Sequence, residues 1–196
     1  MAGGPAGLGG PLEEGRVRLE PLEEGHLEGL VEAAAWPRIW AWMPVDLRSR
    51  AALEAWLGEA LAAREAGTEV PFAVVVEGRV GGSTRYLDVR RSPRAVEIGW
   101  TWYSPPHWGT DVNPRSKLLL LRRAFEEWGA VRVQLKTDGE NLRSQAAIRK
   151  LGALPEGVLR NHRVRADGTV ADSAMFSITD SEWPRVAAGL AARLGE

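Results

Sequence analysis

The spacing of apolar residues divides the chain into a series of predicted strands and helices. Residues 16–20 alternate polar and apolar side chains, as a half-buried edge strand does. Apolar residues then recur at helical spacing over residues 21–35, until Pro37 interrupts the pattern. A second helix is predicted over residues 46–66, with Asp46 as its N-cap and Gly67 as its stop.

The rest of the chain alternates between β-branched runs and helical segments. Strands are predicted over residues 71–78, 79–88, 95–103, 131–137, 158–164 and 170–178, and helices over residues 114–128 and 141–151. Thr179 and Glu182 have the spacing of a capping box for a last helix that ends near Leu194. With neither an internal repeat nor a linker, this order predicts one mixed α/β domain over residues 15–196, preceded by a flexible tail over residues 1–14.

The composition narrows the classes of protein to consider. The chain has no cysteine, which excludes disulfides, thiolate-bound metals and a cysteine nucleophile. A formal net charge of −1 gives no general attraction to nucleic acid or to an anionic membrane. No apolar stretch is long enough for a membrane-spanning helix, and the first residues lack the features of a secretory signal. We therefore expect a cytoplasmic protein with no metal, nucleic-acid or membrane partner.

The tryptophans allow two interpretations. Of the nine, five lie in two short motifs, at positions Trp36, Trp40, Trp42, Trp100 and Trp102. They can belong to the core, because large aromatic rings bury wide areas anywhere in a fold. They can also line a binding cleft, since exposed tryptophans are enriched at such surfaces.

The segment 107–128 carries the clearest chemical signal. Gly109 allows a tight turn, and Asn113 and Pro114 are the residue types preferred at an N-cap and at the first helical position. Arg115 and Lys117 would then lie in the first turn, where cations are disfavoured. An anion bound at the helix N-terminus would reverse that penalty; otherwise both side chains would extend into solvent. The segment therefore predicts an anion site between a strand and a helix.

Four segments of the sequence resemble the GNAT N-acetyltransferase superfamily, in particular its RimJ/RimL-like branch of ribosomal-protein-alanine acetyltransferases. They are EIGWTWY (97–103), WGTDVNPRSKLLLLRRAFE (108–126), VRVQLKTDGENLRSQAAIRKLGA (131–153) and EGVLRNHRVRADGTVADSAMFSITDSEW (156–183). The resemblance implies a mixed, mostly antiparallel sheet of about 6–7 strands flanked by helices. It also implies that the strand ending at Tyr103 is splayed from the strand 131–137, with the pantetheine of acetyl-coenzyme A (acetyl-CoA) in the gap.

The resemblance assigns cofactor-binding roles to particular residues. The main chain of Trp102 and Tyr103 would hold pantetheine, and Asn141 would bond its arm. The backbone of Trp108, Gly109, Thr110, Asp111, Val112 and Asn113 would wrap the pyrophosphate, with Lys117 in the following helix. Ser144 would face the thioester sulfur, and Arg143 or Arg149 would reach the 3′-phosphate. Asp111 replaces a glycine of the usual loop, so its carboxylate must turn outward or meet a cation.

Candidate catalytic residues follow from the chemistry of amide formation. Glu97 is the candidate general base, acting through water; otherwise it is a strand carboxylate that faces an arginine. An N–H near Tyr103 would stabilise the oxyanion. Because Ile148 occupies the position where many members of the family have a tyrosine acid, Ser144, Tyr103 and His107 remain as candidate proton donors. Trp36, Trp40 and Trp100 are the candidate substrate-binding residues.

The expected acceptor is the α-amine of a protein N-terminus, and a homodimer is possible. Two alternatives stay open: a small aromatic or amphipathic amine as acceptor, and a catalytically weak acyl-CoA-binding module. A dinucleotide oxidoreductase is excluded, because no G-x-G-x-x-G motif lies in a βαβ unit.

Overall fold

One twisted sheet runs through the protein, whose computed structural model describes residues 7–195. Its strands are β1 (Leu12–Glu14), β2 (Val17–Pro21), β3 (Val70–Val76), β4 (Arg79–Arg91), β5 (Arg94–Tyr103), β6 (Arg132–Asp138), β7 (Leu154–Val164) and β8 (Val170–Thr179). The strand order is β1-β2-β3-β4-β5-β6-β8-β7. Neighbouring strands are antiparallel except β5 and β6, which are parallel. The expected mixed, mostly antiparallel sheet is confirmed.

Helices cover both faces of the sheet. They are α1 (Leu27–Ala34), α2 (Pro37–Trp40), α3 (Arg50–Glu65), α4 (Val112–Arg122), α5 (Leu142–Lys150) and α6 (Trp183–Leu194), and α4 continues into a π-helical turn, Arg123–Glu127. The central strand β3 is buried on both faces: Phe72 and Val74 pack in the cluster that contains α4 and α6, while Ala73 and Val75 pack in the cluster that contains α1 and α3. No helix within residues 7–195 has the length and apolarity needed to cross a membrane.

The parallel strands β5 and β6 separate along their length, as predicted. They pair only at Ala95↔Arg132, Val96↔Val133 and Glu97↔Gln134, although both strands continue for several residues. The divergence coincides with an irregularity in the pairing of β5 with β4, between Ser83 and Arg85. There Trp100 has a φ of 49°, and the local kink of such a bulge turns β5 away from β6. The edge of β5 is thus left open on the side of β6.

The N-terminal boundary differs from the prediction. The sequence predicts a tail over residues 1–14, yet Leu12–Glu14 forms β1, and Leu8 is fully buried in the main core. The sheet therefore has eight strands within residues 7–195, rather than 6–7. A strand of three residues is too short to show an alternation of polar and apolar side chains. The glycine-rich residues around it therefore favoured the prediction of a flexible tail. Residues 1–6 of the predicted tail lie outside the described residues.

Two helix starts also differ from the predictions. α3 begins after Ser49, whose Oγ accepts a hydrogen bond from the Ala52 N–H (3.2 Å), whereas Asp46 binds Arg48. α4 begins at Val112, so Asn113 is not its N-cap, and the Val112 N–H donates to Thr110 Oγ1 (3.3 Å). Pro114 is tolerated as the third helical residue, because the first N–H groups of a helix have no intrahelical partner.

Candidate functional site

A cavity of about 520 Å³ opens where β5 and β6 diverge. Its walls come from β5, β6, the loop before α4, the first two turns of α4, the start of α5, the end of β7, and the segment after α2. The predicted site residues that line it are Glu97, Trp100, Trp102, Tyr103, His107, Trp108, Gly109, Asn113, Lys117, Asn141, Arg143 and Ser144. The fold therefore brings most of the predicted site together.

The loop before α4 is held by its own hydrogen bonds. Gly109 has a φ of 75°, which favours glycine. The Trp108 indole Nε1 donates to the Tyr103 carbonyl (2.8 Å), and the Thr110 hydroxyl donates to the His107 carbonyl (2.8 Å). The main-chain N–H of Asn113, the second residue of α4, follows this turn and lies in the cavity wall. This turn can present backbone donors to an anion.

Asp111 does not line the cavity but is neutralised beside it. Its carboxylate accepts hydrogen bonds from Arg16 Nη2 (2.6 Å) and from Arg115 Nε (2.8 Å). These two guanidinium groups lower the pKa of Asp111 to about 2. Asp111, which stands where the family has a glycine, is thus paired with two cations. Their charges remove the expected repulsion between its carboxylate and a diphosphate.

Lys117 is not a first-turn cation, whereas Arg115 lies at the end of the first turn of α4. Arg115 and Lys117 are the fourth and sixth residues of α4, because the helix starts earlier than predicted. Arg115 faces Asp111, and Lys117 turns inward, where its Nζ donates to Thr101 Oγ1 (2.7 Å). Neither alternative for these two cations is therefore correct, because Arg115 is paired with Asp111 and Lys117 is buried rather than extended into solvent. The loop itself remains suited to an anion.

Of the two candidate arginines for a 3′-phosphate, the structure brings one to the cavity. Arg143 lies over the Trp108 ring, with its guanidinium carbon 4.0 Å from the ring centroid. Arg149 instead lies over Phe176 (5.1 Å) and does not line the cavity. Lysine or arginine on an aromatic face keeps its charge available to a phosphate.

Glu97 is buried in the wall of the cavity, with 3% of its surface exposed. Its Oε2 accepts from Gln134 Nε2 (2.8 Å), and its Oε1 lies 3.1 Å from Lys136 Nζ. The cation it faces is a lysine rather than the arginine considered in the sequence. A carboxylate in the cavity wall is a group of the kind that serves as a general base.

The candidate proton donors differ in their surroundings. The Tyr103 hydroxyl donates to Asn113 Oδ1 (3.3 Å), and burial raises the pKa of Tyr103 well above its ordinary value. Burial and the charge of Arg16 lower the pKa of His107. Ser144 is part-buried at the start of α5, where its N–H donates to Asn141 Oδ1 (3.0 Å). Asn141 therefore caps the helix with its oxygen, and only its amide nitrogen remains for the predicted pantetheine bond.

Trp36 and Trp40 do not reach the cavity, which corrects their assignment to substrate binding. Trp36 precedes α2 and is 49% exposed away from the cavity. Trp40 is 3% exposed and packs on Trp102 with ring centroids 5.2 Å apart. The short helix α2 turns Trp40 into the core, and Trp42 lines the cavity instead.

One wall of the cavity is formed by two segments that are far apart in the sequence, residues 41–44 and 163–166. We call these two bonded segments the bridge, and the sequence did not predict them as part of the site. Arg163 Nη2 donates to the Trp42 carbonyl (2.8 Å), and the Ala166 N–H donates to the Met43 carbonyl (3.2 Å). Arg165 lies over the Trp42 ring (5.3 Å) and is held by both oxygens of the buried Asp138. No local sequence signal links segments about 120 residues apart.

Arg85 is a second residue that the sequence analysis missed. It is 4% exposed and lies over the rings of Trp56 (4.8 Å) and Trp100 (5.2 Å). Its Nη1 donates to Glu69 (2.6 Å). Because Trp100 lines the cavity at a residue with positive φ, the guanidinium supports an otherwise strained part of the wall.

Comparisons with known proteins agree with this architecture. A model of the acetyltransferase (GNAT) domain matches residues 16–154 of the chain. No curated protein matches the sequence. A protein from T. thermophilus, provisionally described as an acetyltransferase, shares 36% identity and a TM-score of 0.87, covering 95% of this chain and 97% of that chain.

Two further solved structures share the fold. A GCN5-related N-acetyltransferase from Brucella melitensis has 27% identity and a TM-score of 0.88, covering 98% of this chain and 88% of that chain. Mycobacterium smegmatis RimJ, in complex with CoA-disulfide, has 21% identity and a TM-score of 0.80, covering 95% of this chain and 93% of that chain. At that identity the likeness to RimJ concerns the fold alone.

Proposed function

Because the chain belongs to the GNAT family of acetyl-CoA-dependent N-acetyltransferases, we propose that it acetylates a compact primary amine with an apolar body. The observation that carries this proposal is the composition of the cavity wall. Trp42, Met43 and Trp100 supply apolar surface, and among the described residues that line the cavity Glu97 alone carries a carboxylate. A basic peptide would need an acidic groove, which this wall does not offer.

The cosubstrate fits the residues that are present. Asn113, at the start of α4 and in the cavity wall, supplies a main-chain N–H for the pyrophosphate, and the open edge of β5 supplies main-chain groups for pantetheine. Arg143 supplies a cation for the 3′-phosphate. Bound acetyl-CoA provides the activated acetyl thioester.

The side chains and main-chain groups of the cavity wall supply the base, the oxyanion donor and the acceptor space in this proposal. Glu97, whose Oε1 lies 3.1 Å from Lys136 Nζ, accepts a proton from the attacking amine through water. A main-chain N–H near Tyr103 stabilises the oxyanion. The bridge bounds the space that the acceptor occupies, because its two segments are bonded to each other and both line the cavity. A bounded, aromatic-walled space favours a small acceptor over a long peptide.

The α-amine of a protein N-terminus is the second candidate acceptor. It is favoured by the resemblance to the RimJ/RimL-like branch and by a fold that matches RimJ over nearly the whole chain. An N-terminal amine, with a pKa near 8, is partly neutral at pH 7 and needs only a modest base. A short residue such as alanine would have to enter the bounded space ahead of the peptide.

The test has two steps, the first on the cosubstrate and the second on the acceptor. Coenzyme A and acetyl-CoA should each raise the melting temperature of the wild type, since a ligand that binds only the folded state stabilises it. Acetyl transfer is then measured on a panel of small aromatic and aliphatic amines and on peptides that begin with alanine. Glu97→Gln should lose about 100-fold or more in kcat, whereas the exposed control Glu65→Gln should retain wild-type activity.

Each outcome is decisive. Preference for alanine peptides would replace the small-amine proposal by the second candidate. Thermal stabilisation without transfer to any amine would instead indicate an acyl-CoA-binding module. Absence of stabilisation by either ligand would refute the function at its first step.

A further inference from the structure

Lys117 is a buried cation in the wall of the cavity. It lies in the second turn of α4, one turn after Asn113, and 4% of its surface is exposed. Its Nζ donates to the hydroxyl of Thr101 (2.7 Å), which in turn is 2.8 Å from the Thr84 hydroxyl. Thr101 belongs to the irregular part of β5, where the strand turns away from β6. The ammonium group therefore lies near the point where β5 and β6 diverge and the cavity opens.

No carboxylate compensates the charge of Lys117 within residues 7–195. The acidic residue of the cavity wall, Glu97, is already bound by Lys136 and Gln134. A buried ammonium without an anion is costly, and a perturbed titratable group in a cleft is a candidate for function. Burial lowers the pKa of Lys117 to about 7.

Other titratable or charged groups also face the cavity. They are Glu97, Tyr103, His107, Lys136, Arg143, His162 and Arg163. Tyr103 is a weaker acid than usual, because burial raises its pKa. Lys136 is committed to Glu97, and Ile148 offers no proton at the position where the resemblance implies a tyrosine acid.

We propose that Lys117 is the general acid that protonates the departing thiolate of coenzyme A. The inference rests on the acetyl transfer proposed above. The amine nitrogen forms a bond to the acetyl carbon, and the carbon–sulfur bond breaks with its electron pair on sulfur. Lys117 Nζ then gives one proton to that sulfur, while the nitrogen loses one proton to Glu97 through water. The products are the amide and the free thiol.

The acidities favour this direction of proton transfer. Even a cysteine thiol has a pKa of about 8.5, so a thiolate of this kind takes a proton from an ammonium group of lower pKa. An ammonium group with an ordinary lysine pKa would be a weaker acid than the thiol. Burial of Lys117 without a carboxylate partner therefore makes it acidic enough to protonate the thiolate. Water in the open cavity can then return a proton to Lys117 Nζ.

The principal variant is Lys117→Met, which keeps an unbranched apolar side chain and removes the ammonium group. We expect kcat to fall about 100-fold or more, while the KM for the amine and the thermal stabilisation by coenzyme A stay near the wild-type values. The control is Lys150→Met, because Lys150 is exposed on α5 and lies outside the cavity. That control should keep wild-type kinetics.

The pH profile separates an acid from a structural residue. A general acid must be protonated, so wild-type kcat/KM should fall as pH rises through the pKa of Lys117, and Lys117→Met should lose that alkaline limb.

Chemical rescue of a Lys117 variant gives a second measurement. Since the chain has no cysteine, Lys117→Cys carries a single thiol, which 2-bromoethylamine converts into a lysine-like amine. Alkylation should restore kcat and the alkaline limb together.

Three results would overturn the proposal. The first is wild-type kcat in a folded Lys117→Met variant. The second is loss of coenzyme A stabilisation in that variant, which would make Lys117 a cofactor-holding residue. The third is an unchanged alkaline limb in Lys117→Met. If the wild type itself transfers acetyl to no amine, the proposed function fails first, and that failure is visible without any variant.

Discussion

The ion pairs of Asp111 allow a quantitative prediction about the loop before α4. Lowering a carboxyl pKa from 3.8 to about 2 corresponds to roughly 2.5 kcal/mol of stabilisation, at about 1.36 kcal/mol per unit. The Asp111 side chain is 33% exposed, so solvent screening reduces that value. We expect Asp111→Asn to lower the free energy of unfolding by about 1 kcal/mol at pH 7.

The effect has a defined pH dependence. Because the folded-state pKa of Asp111 is depressed, its stabilisation is complete above the unfolded pKa of about 3.9 and is lost as pH falls towards 2. The difference in unfolding free energy between wild type and Asp111→Asn should therefore be constant from pH 7 to about pH 5. It should shrink at lower pH.

Urea denaturation of both proteins at several pH values measures this difference, with Glu65→Gln as the control for an exposed carboxylate without an ion pair. Coenzyme A affinity should change by less than about threefold, because Asp111 is outside the cavity and already neutralised. Equal stability of Asp111→Asn and wild type at pH 7 would refute the reasoning. So would a difference that stays constant down to pH 3.

Three further substitutions test other parts of the structure. Leu8→Ala should cost about 3 kcal/mol of unfolding free energy in urea, because Leu8 is fully buried; a flexible tail would show no loss. Gly82→Ala should lower the melting temperature markedly, since its Cβ would lie 2.1 Å from the Trp102 carbonyl oxygen; an unchanged melting curve would contradict the close pairing of β4 with β5. Arg85→Met should raise the KM for the amine severalfold with little change in coenzyme A affinity, as Trp100 loses its support; equal KM values would separate Arg85 from the acceptor site.

The parts of the fold that were predictable are those fixed by local periodicity. The β-branched runs became β3 and β6, and the leucine-rich segment became α4, because each buries a continuous apolar surface. The start of α4 was not predictable from residue preferences. Asn113 and Pro114 favour a start at that point, but the Thr110 hydroxyl caps the Val112 N–H and begins the helix earlier.

The candidate site was predictable where a motif marks it, and not where it depends on distant contacts. Glu97, Ser144 and the loop before α4 follow from segments that resemble a family. Trp40 and Trp42 are two positions apart, yet one packs in the core and the other lines the cavity. That difference depends on where α2 ends. The hydrogen bond from Arg163 to the Trp42 carbonyl forms only when the whole sheet has folded, because the two residues are far apart in the sequence.

The bridge has a consequence for how the protein can diversify. Its hydrogen bonds run between main-chain carbonyls on one segment and donors on the other, and none of them involves the loop 107–113. Side chains at Trp42 and Met43 can therefore be exchanged without disturbing the backbone contacts. Evolution or engineering can alter the acceptor in this way while the apparatus for the acetyl donor stays intact, provided that residues 41–44 and 163–166 are inherited as a matched pair.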